Sequence, residues 1–340
     1  MTGVPMELMD VTLASWERAY RACPDATFFQ SPAWYGAVAA GLGGLPSPLG
    51  FRLPGGEEIV VPRLVRRVGR GLLRRAECGV EGGYGGVLAP RTLTAREHRE
   101  VVQALWARHR DLCVVGNPHA LGGAVPEAPD PTLDATRVIP VLPAEVQLAG
   151  FSATRRRHVR QARRAGLRVT VEEAPAPAAV ATFFPLYAAH AARWQYTRWV
   201  RDARWFRTLL AEGRADLLLC LVWEGGTPIG FQLIALGAGA ALQLHLATHP
   251  DHNGSNPGTL LMADSLEALH ARGVRQLDCL PSGRLAAVAT YKESLGGQPV
   301  VFGRLERQGW LQRALGVASR CWPRPSHHSP PGAAVVQRGA

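Results

Sequence analysis

The chain has 340 residues, 47 % of them hydrophobic, and a formal net charge of +11 from 38 basic and 27 acidic side chains. That length suits two domains with cores of their own, and the six cysteines, none in a C-x-x-C pair, read as a reduced, cytoplasmic set and not as a secreted disulfide framework. No apolar run approaches the ~20 residues of a membrane span and the N-terminus has no signal-peptide pattern, while the basic excess favours a polyanionic partner such as a nucleotide cofactor, a tRNA, an anionic lipid or a phosphate-bearing precursor.

In chain order, residues 15–22 read as a short helix. Ser31 is placed to cap a second helix, with Pro32 in its first turn. Strands are expected at 48–52 and 58–66, separated by the turn Pro54-Gly55-Gly56. The glycine-rich run from Gly79 to Leu88 reads as a loop or bulged strand. A helix over 95–108 and a strand over 112–116 follow. Residues 122–132 are rich in Pro, Gly and Ala and break regular structure, and 136–142 reads as a strand.

The second half has a cleaner order. A basic helix over 151–165 ends at Gly166, followed by a strand at 167–172 and helices at 178–194 and 202–212. Strands are expected at 217–223, 229–236 and 241–248, with a hairpin turn at Glu224-Gly225-Gly226-Thr227. A loop leads to a helix over 259–272, a strand at 274–280, a helix over 284–294 and a last strand at 299–304. The expected division is an N-terminal unit of residues 1–146, a C-terminal unit of 147–308, and a short basic helix with a disordered tail over 309–340. A surface role for that helix leaves peripheral membrane contact open.

One residue stands out by its type. The chain holds 37 arginines and a single lysine, Lys292. A compact ammonium that can shed its proton when buried does what a planar, permanently charged guanidinium does not, so the lone survivor marks a candidate site; chance survival on an exposed helix is the alternative.

The order β-α-α-β-β-β-α-β-α-β after the basic helix resembles a GNAT acyltransferase domain, and the local motifs resemble its FemAB-like branch. Phe29-Gln30-Ser31-Pro32-Ala33-Trp34 resembles that branch's opening motif and Tyr84-Gly85-Gly86 its central Y-G-G. Residues 154–167 resemble its basic helix, Ser255-Asn256-Pro257-Gly258-Thr259-Leu260-Leu261 its S-P-G-x-L-L helix start, and Tyr291-Lys292-Glu293-Ser294-Leu295-Gly296 its terminal [YF]-K-x-x-F-G. The resemblance implies an α/β fold with a mixed sheet, made of two GNAT-like domains in tandem, the first a degenerate copy. It implies an acyltransferase whose donor is an acyl-CoA-type thioester or an aminoacyl-tRNA. The implied acceptor is an amine on a small molecule or on a cell-envelope precursor, as in the branch's peptidoglycan bridge-forming aminoacyltransferases. One departure bears on the donor: the usual pyrophosphate loop [QR]-x-x-G-x-[GA] is here Asn253-Gly254-Ser255-Asn256-Pro257-Gly258.

The residues themselves supply candidates for each chemical task. Asn253, Gly254, Ser255, Asn256, Gly258 and Thr259 precede or open a helix, where free amides and the helix dipole favour a donor's anionic group; an ordinary strand-to-helix turn is the alternative. Acyl transfer also needs a base and a group to meet the tetrahedral oxyanion. His245, on one strand face with His249, is a base candidate or a half-buried packed histidine; Asp278 is the carboxylate alternative, and Lys292 serves the oxyanion or a substrate's anionic group. Tyr84, Arg193, Trp194, Arg198 and Tyr291 are expected to line the acceptor side, although Trp205 and Phe206 nearby read equally as core. His249, Asp251 and His252 sit too loosely on a loop for zinc, so no metal is expected. The arginines from 155 to 168 form the densest basic patch, either a solvated face or a track for tRNA or lipid. A non-catalytic module that keeps only a basic cleft for an anionic ligand is the reading from another class.

Overall fold

The computed structural model describes residues 6–68, 71, 73–120, 132–193, 200–283 and 285–309. Its first half runs β1 (Glu7–Met9), α1 (Leu13–Ala22), α2 (Pro32–Leu42), β2 (Leu45–Pro46), β3 (Leu49–Arg52), β4 (Glu58–Val61), β5 (Leu64–Val68), β6 (Leu73–Cys78), α3 (Ala95–Arg108), β7 (Leu112–Val115) and β8 (Thr132–Pro140). The second half runs α4 (Ala144–Gly150), α5 (Ala153–Arg164), β9 (Arg168–Glu173), α6 (Val180–Ala191), α7 (Ala203–Gly213), β10 (Leu217–Glu224), β11 (Thr227–Ala235), β12 (Ala241–Thr248), α8 (Pro257–Ala271), β13 (Gln276–Asp278), α9 (Ala286–Glu293) and β14 (Gln298–Arg307).

Local chemistry explains most helix starts. The Ser31 hydroxyl accepts from the Trp34 amide at 3.1 Å, with Pro32 at the first position of α2. Thr94 and Glu97 form a reciprocal capping box on α3, and Asp202 caps α7 through the Trp205 amide. The expected helix over 151–165 is α5, capped by Ser152, and the separate helix α4 lies just before it. The expected strand at 58–66 is two strands. Pro62 has no N–H for a ladder, and the chain changes sheets there. The strand β6 was not anticipated, since its arginines and Glu77 hide a buried strand behind charge.

Eleven strands form one mixed sheet in the order β2-β5-β6-β7-β14-β8-β13-β12-β11-β10-β9, and β1-β3-β4 form a small second sheet. The two halves are interlaced at its centre. The last strand, β14, lies antiparallel to both β7 and β8, while β8 is hydrogen-bonded to β13 and β14 alone. One apolar cluster spans both halves, joining Phe28, Phe29, Trp34 and Tyr84 to Phe183, Tyr187, Phe206 and Phe231. Within it α2 meets α7, with the Trp34 and Trp205 rings edge-to-face at 5.9 Å. A second cluster lies under α5 and α8, and a third packs α3 against the small sheet's Phe51 and Ile59.

Candidate active site

The parallel strands β12 and β13 pair for only two residues, Ala241 with Leu277 and Leu242 with Asp278. Beyond that, β12 continues to Thr248 and β13 stops, so the sheet splits open at the C-terminal ends of both strands. The reason is local: Leu280 has φ +60°, a left-handed conformation that a strand cannot hold. Gaps at such strand ends are where α/β sheets admit ligands.

Lys292 lies on one side of this opening. It is only 7 % exposed, and its Nζ donates to the Leu280 carbonyl at 2.7 Å. Burial holds its amine below the usual lysine range, offset in part by Cys279 and Asp278, while Arg137 adds to the lowering. Its own carbonyl accepts from the Gly297 amide at 3.0 Å. A Cβ at Gly297 would come within 2.7 Å of that oxygen, so only glycine allows the approach.

Asp278 is fully buried and accepts four hydrogen bonds. Tyr84 Oη reaches Oδ2 at 2.9 Å and His119 Nε2 reaches it at 2.8 Å; Thr136 Oγ1 and the Leu280 amide (2.7 Å) donate to Oδ1. Gln276 Nε2 donates to the other His119 nitrogen at 3.2 Å, which leaves Nε2–H pointing at the carboxylate. Burial and the Asp278 charge push the Tyr84 phenol well above its ordinary range. Tyr84 was expected to touch substrate; instead it is fully buried and donates to the carboxylate. Asp278 was expected to offer a base, but both of its oxygens are taken up by donors from four segments of the chain.

His245 lies on β12 with its ring edge-on to Tyr187 and Phe206, at 5.5 and 5.1 Å. Burial, with the nearby Arg201 charge, pushes its pKa down to about 4. At neutral pH the ring is uncharged and a weak base. His249 is not on the strand; it caps a short 3-10 turn over Pro250–Ser255. Among the described residues no group of three or more His, Cys, Asp or Glu is placed to hold a metal ion. No helix among them is long and apolar enough to cross a membrane.

The expected donor loop is largely spent on itself. Residues 253–255 lie in that 3-10 turn. Thr248 Oγ1 donates to Asn253 Oδ1 at 2.9 Å, Ser255 Oγ donates to the His252 carbonyl at 2.8 Å, and the Asn256 amide reaches Gln161 at 3.3 Å. Asn256, with φ +61°, then turns the chain into α8, whose N-terminus has no side-chain cap. Gly258 and Thr259 occupy that first turn. Arg155 comes to it from α5: its guanidinium lies 4.5 Å above the Tyr291 ring, donates to Ser294 Oγ at 2.9 Å and reaches Thr259 Oγ1 at 3.4 Å. An uncapped helix N-terminus beside a guanidinium fits an anionic group. Tyr291 Oη donates to the Gly258 carbonyl at 3.3 Å, so Tyr291 supports this turn. Arg193 is exposed just beyond the end of α6, and Trp194 and Arg198 lie outside the described residues.

Three contributors carried no sequence signal of their own, and a fourth carried only a diffuse one. His119 and Thr136 are isolated polar residues in a loop and a strand, and Leu280 is an ordinary leucine. Arg155 was visible only as one arginine of a patch.

A family model for the acetyltransferase (GNAT) domain matches residues 151–293. No curated protein matches the sequence. Among solved structures, FemX aligns with a TM-score of 0.70 at 12 % identity, over 91 % of this chain and 99 % of its own. A tandem GNAT protein from the clavulanic acid biosynthesis pathway aligns with a TM-score of 0.50 at 15 % identity, over 89 % and 98 %. A conserved protein of unknown function from Bacteroides thetaiotaomicron aligns with a TM-score of 0.52 at 11 % identity, over 88 % and 97 %. At these identities the likeness is one of fold. Residues 151–293 thus match the GNAT acetyltransferase domain model, and the chain as a whole shares its fold with FemX and with the tandem GNAT protein.

Proposed function

We propose that the protein is a cytoplasmic N-acyltransferase that moves an acyl group from a CoA-type thioester to an amine. The observation that carries this reading is the split between β12 and β13 within a GNAT domain, with Lys292 on one side and the uncapped α8 N-terminus with Arg155 on the other. In this reading the amides of α8 and the Arg155 guanidinium hold the donor's phosphates. The acceptor amine attacks the acyl carbon, and negative charge grows on the carbonyl oxygen. Lys292 donates a hydrogen bond to that oxygen. The attacking nitrogen's proton leaves to water or to neutral His245, whose low pKa makes it a poor store for the proton and so a temporary one; the intermediate then collapses, the carbon–sulfur bond breaks, and the leaving thiolate takes up a proton as the free thiol. Tyr84, His119 and Thr136, from the first half of the chain, complete the wall behind Asp278. The acceptor is proposed to be a small molecule or a cell-envelope precursor.

A second reading, an aminoacyl-tRNA donor, has one observation in its favour. Arg157, Arg160 and Arg164 point to solvent on one face of α5, and none is paired with a carboxylate among the described residues. Calorimetry separates the two. With CoA as the titrant, Arg155→Ala should weaken binding about tenfold, the worth of one charge-assisted hydrogen bond. Replacing Arg157, Arg160 and Arg164 with Gln should leave CoA binding unchanged. A tRNA titrant should bind weakly, whatever the salt. Tight tRNA binding that falls steeply with salt, and that the triple variant abolishes, would favour the second reading; no binding of either titrant would sink both.

A further inference from the structure

The four donors around Asp278 leave it no free lone pair, yet the residue is tied to Lys292 through a single backbone unit. Its Oδ1 accepts from the Leu280 amide at 2.7 Å, and the carbonyl of the same Leu280 accepts from Lys292 Nζ at 2.7 Å. Leu280 sits between them at φ +60°. A leucine in the left-handed region is uncommon and costs free energy, so something must hold it there. The Asp278 carboxylate is the group in place to do so, and it is itself held by Tyr84, His119 and Thr136.

We propose that Asp278 is a positioning residue. By holding the Leu280 backbone in its left-handed conformation, it fixes the carbonyl against which the Lys292 amine is set at the mouth of the opening. This rests on the reading of Lys292 as the group that meets the reacting oxygen. It gives the tandem architecture a function: the first half of the chain, through Tyr84, His119 and Thr136, sets the geometry of a lysine in the second. The charged and titratable groups around the amine are Asp278 at the end of β13 and Cys279 just after it, Arg137 from β8, and Glu293 beside it on α9, which Arg137 engages at 2.6 Å.

The composition makes a direct test available. Lys292 is the chain's only lysine, so any ε-amine reactivity is its own. Competitive labelling of the whole protein with trace acetic anhydride across a pH series, read by peptide mass spectrometry, yields two quantities. The midpoint reports the charge around the amine, and the alkaline plateau reports its position and access. In Asp278→Ala, which removes the acceptor of the Leu280 amide, Leu280 should relax and release the amine, raising the plateau about threefold or more. Adding Leu280→Gly should bring the plateau back toward wild type, because glycine adopts the left-handed conformation without steric cost. A merely structural role for Asp278 predicts no such rescue. An unchanged plateau in Asp278→Ala, or a raised one that Leu280→Gly does not lower while circular dichroism stays native, overturns the proposal. If Asp278→Ala does not fold, Thr136→Val, which removes one donor to Oδ1, is read in its place: a smaller rise supports the proposal and no rise overturns it. The labelling needs no substrate, so it stands apart from the CoA titration; loss of CoA binding with the labelling pattern as expected would sink only the transferase reading.

Discussion

Lys292 concentrates two opposing demands in one side chain. A buried amine with a single carbonyl partner is a cost to the fold, and burial accordingly holds it below the ordinary value of 10.5. Between the lowered folded-state value and 10.5, the unfolded chain binds more protons than the folded one. The contribution of Lys292 therefore makes stability rise with pH through that window. Lys292→Met should stabilise the protein by on the order of 1 kcal/mol at pH 7 and lose that advantage by about pH 11, while abolishing transfer. Denaturant titrations at the two pH values, with turnover measured in parallel, check both halves. Lys292→Arg should impair turnover nearly as much as Lys292→Ala, because a guanidinium is wider and keeps its proton. Normal turnover in Lys292→Arg would return the residue to chance survival.

Glycines in two elements serve different ends. The loop after β6 lies so close to the sheet that a Cβ at Gly85 would sit 2.4 Å from the Cys78 carbonyl oxygen and 2.7 Å from the Gly79 amide nitrogen. Both neighbours are backbone and cannot swing aside. At the start of α8, a Cβ on Gly258 would meet Thr248 and Leu246 at 3.5 and 3.7 Å, which is ordinary contact. Gly85→Ala should therefore cost ~2–3 kcal/mol or prevent folding. Gly258→Ala should stay within about 0.5 kcal/mol of wild type. Thermal melts of the two variants side by side test the contrast; equal losses would mean that the Gly85 loop can move off the sheet. The same comparison bears on the Y-G-G motif, whose first glycine answers to packing.

At the scale of the molecule, the sheet does not divide where the chain does. The strand β8 precedes the expected boundary near residue 146, yet all of its ladder partners, β13 and β14, come after it. Likewise β14, the last described strand, fills the place between β7 and β8. Cutting the chain at 146 leaves β13 and β14 without their common neighbour and β7 with β6 alone. Residues 147–340 expressed alone should lack cooperative unfolding and expose apolar surface, and co-expression with 1–146 should restore a folded complex. A cooperative melt from the isolated fragment would show that the second half closes its own sheet.

The sequence by itself determined the parts whose causes are local. Ser31-Pro32 and Thr94-x-x-Glu97 specify helix starts through hydrogen bonds within one turn. The β-hairpin at 224–227 needs only its own turn residues, and the apolar runs of β10 to β12 declare a buried sheet. The scarcity of lysine pointed to Lys292 before any contact was known. Other features depend on neighbours distant in the chain. Leu280 is an unremarkable letter until a carboxylate from β13 and an amine from α9 meet at its backbone. His119 and Thr136 matter because the first half of the chain delivers them to Asp278, more than 140 positions away in sequence. The charge-rich strand β6 reads as surface, yet Arg75 and Glu77 are buried, because they pair with each other and with Arg66 on β5 and Glu306 on β14. The donor loop read as an open anion cradle, but its polar side chains close on one another and leave the anion to α8 and Arg155. Hydrogen bonds within a turn are set by spacing along the chain; hydrogen bonds across a sheet seam are set by which strands become neighbours, and that was decided only when β14 inserted between β7 and β8.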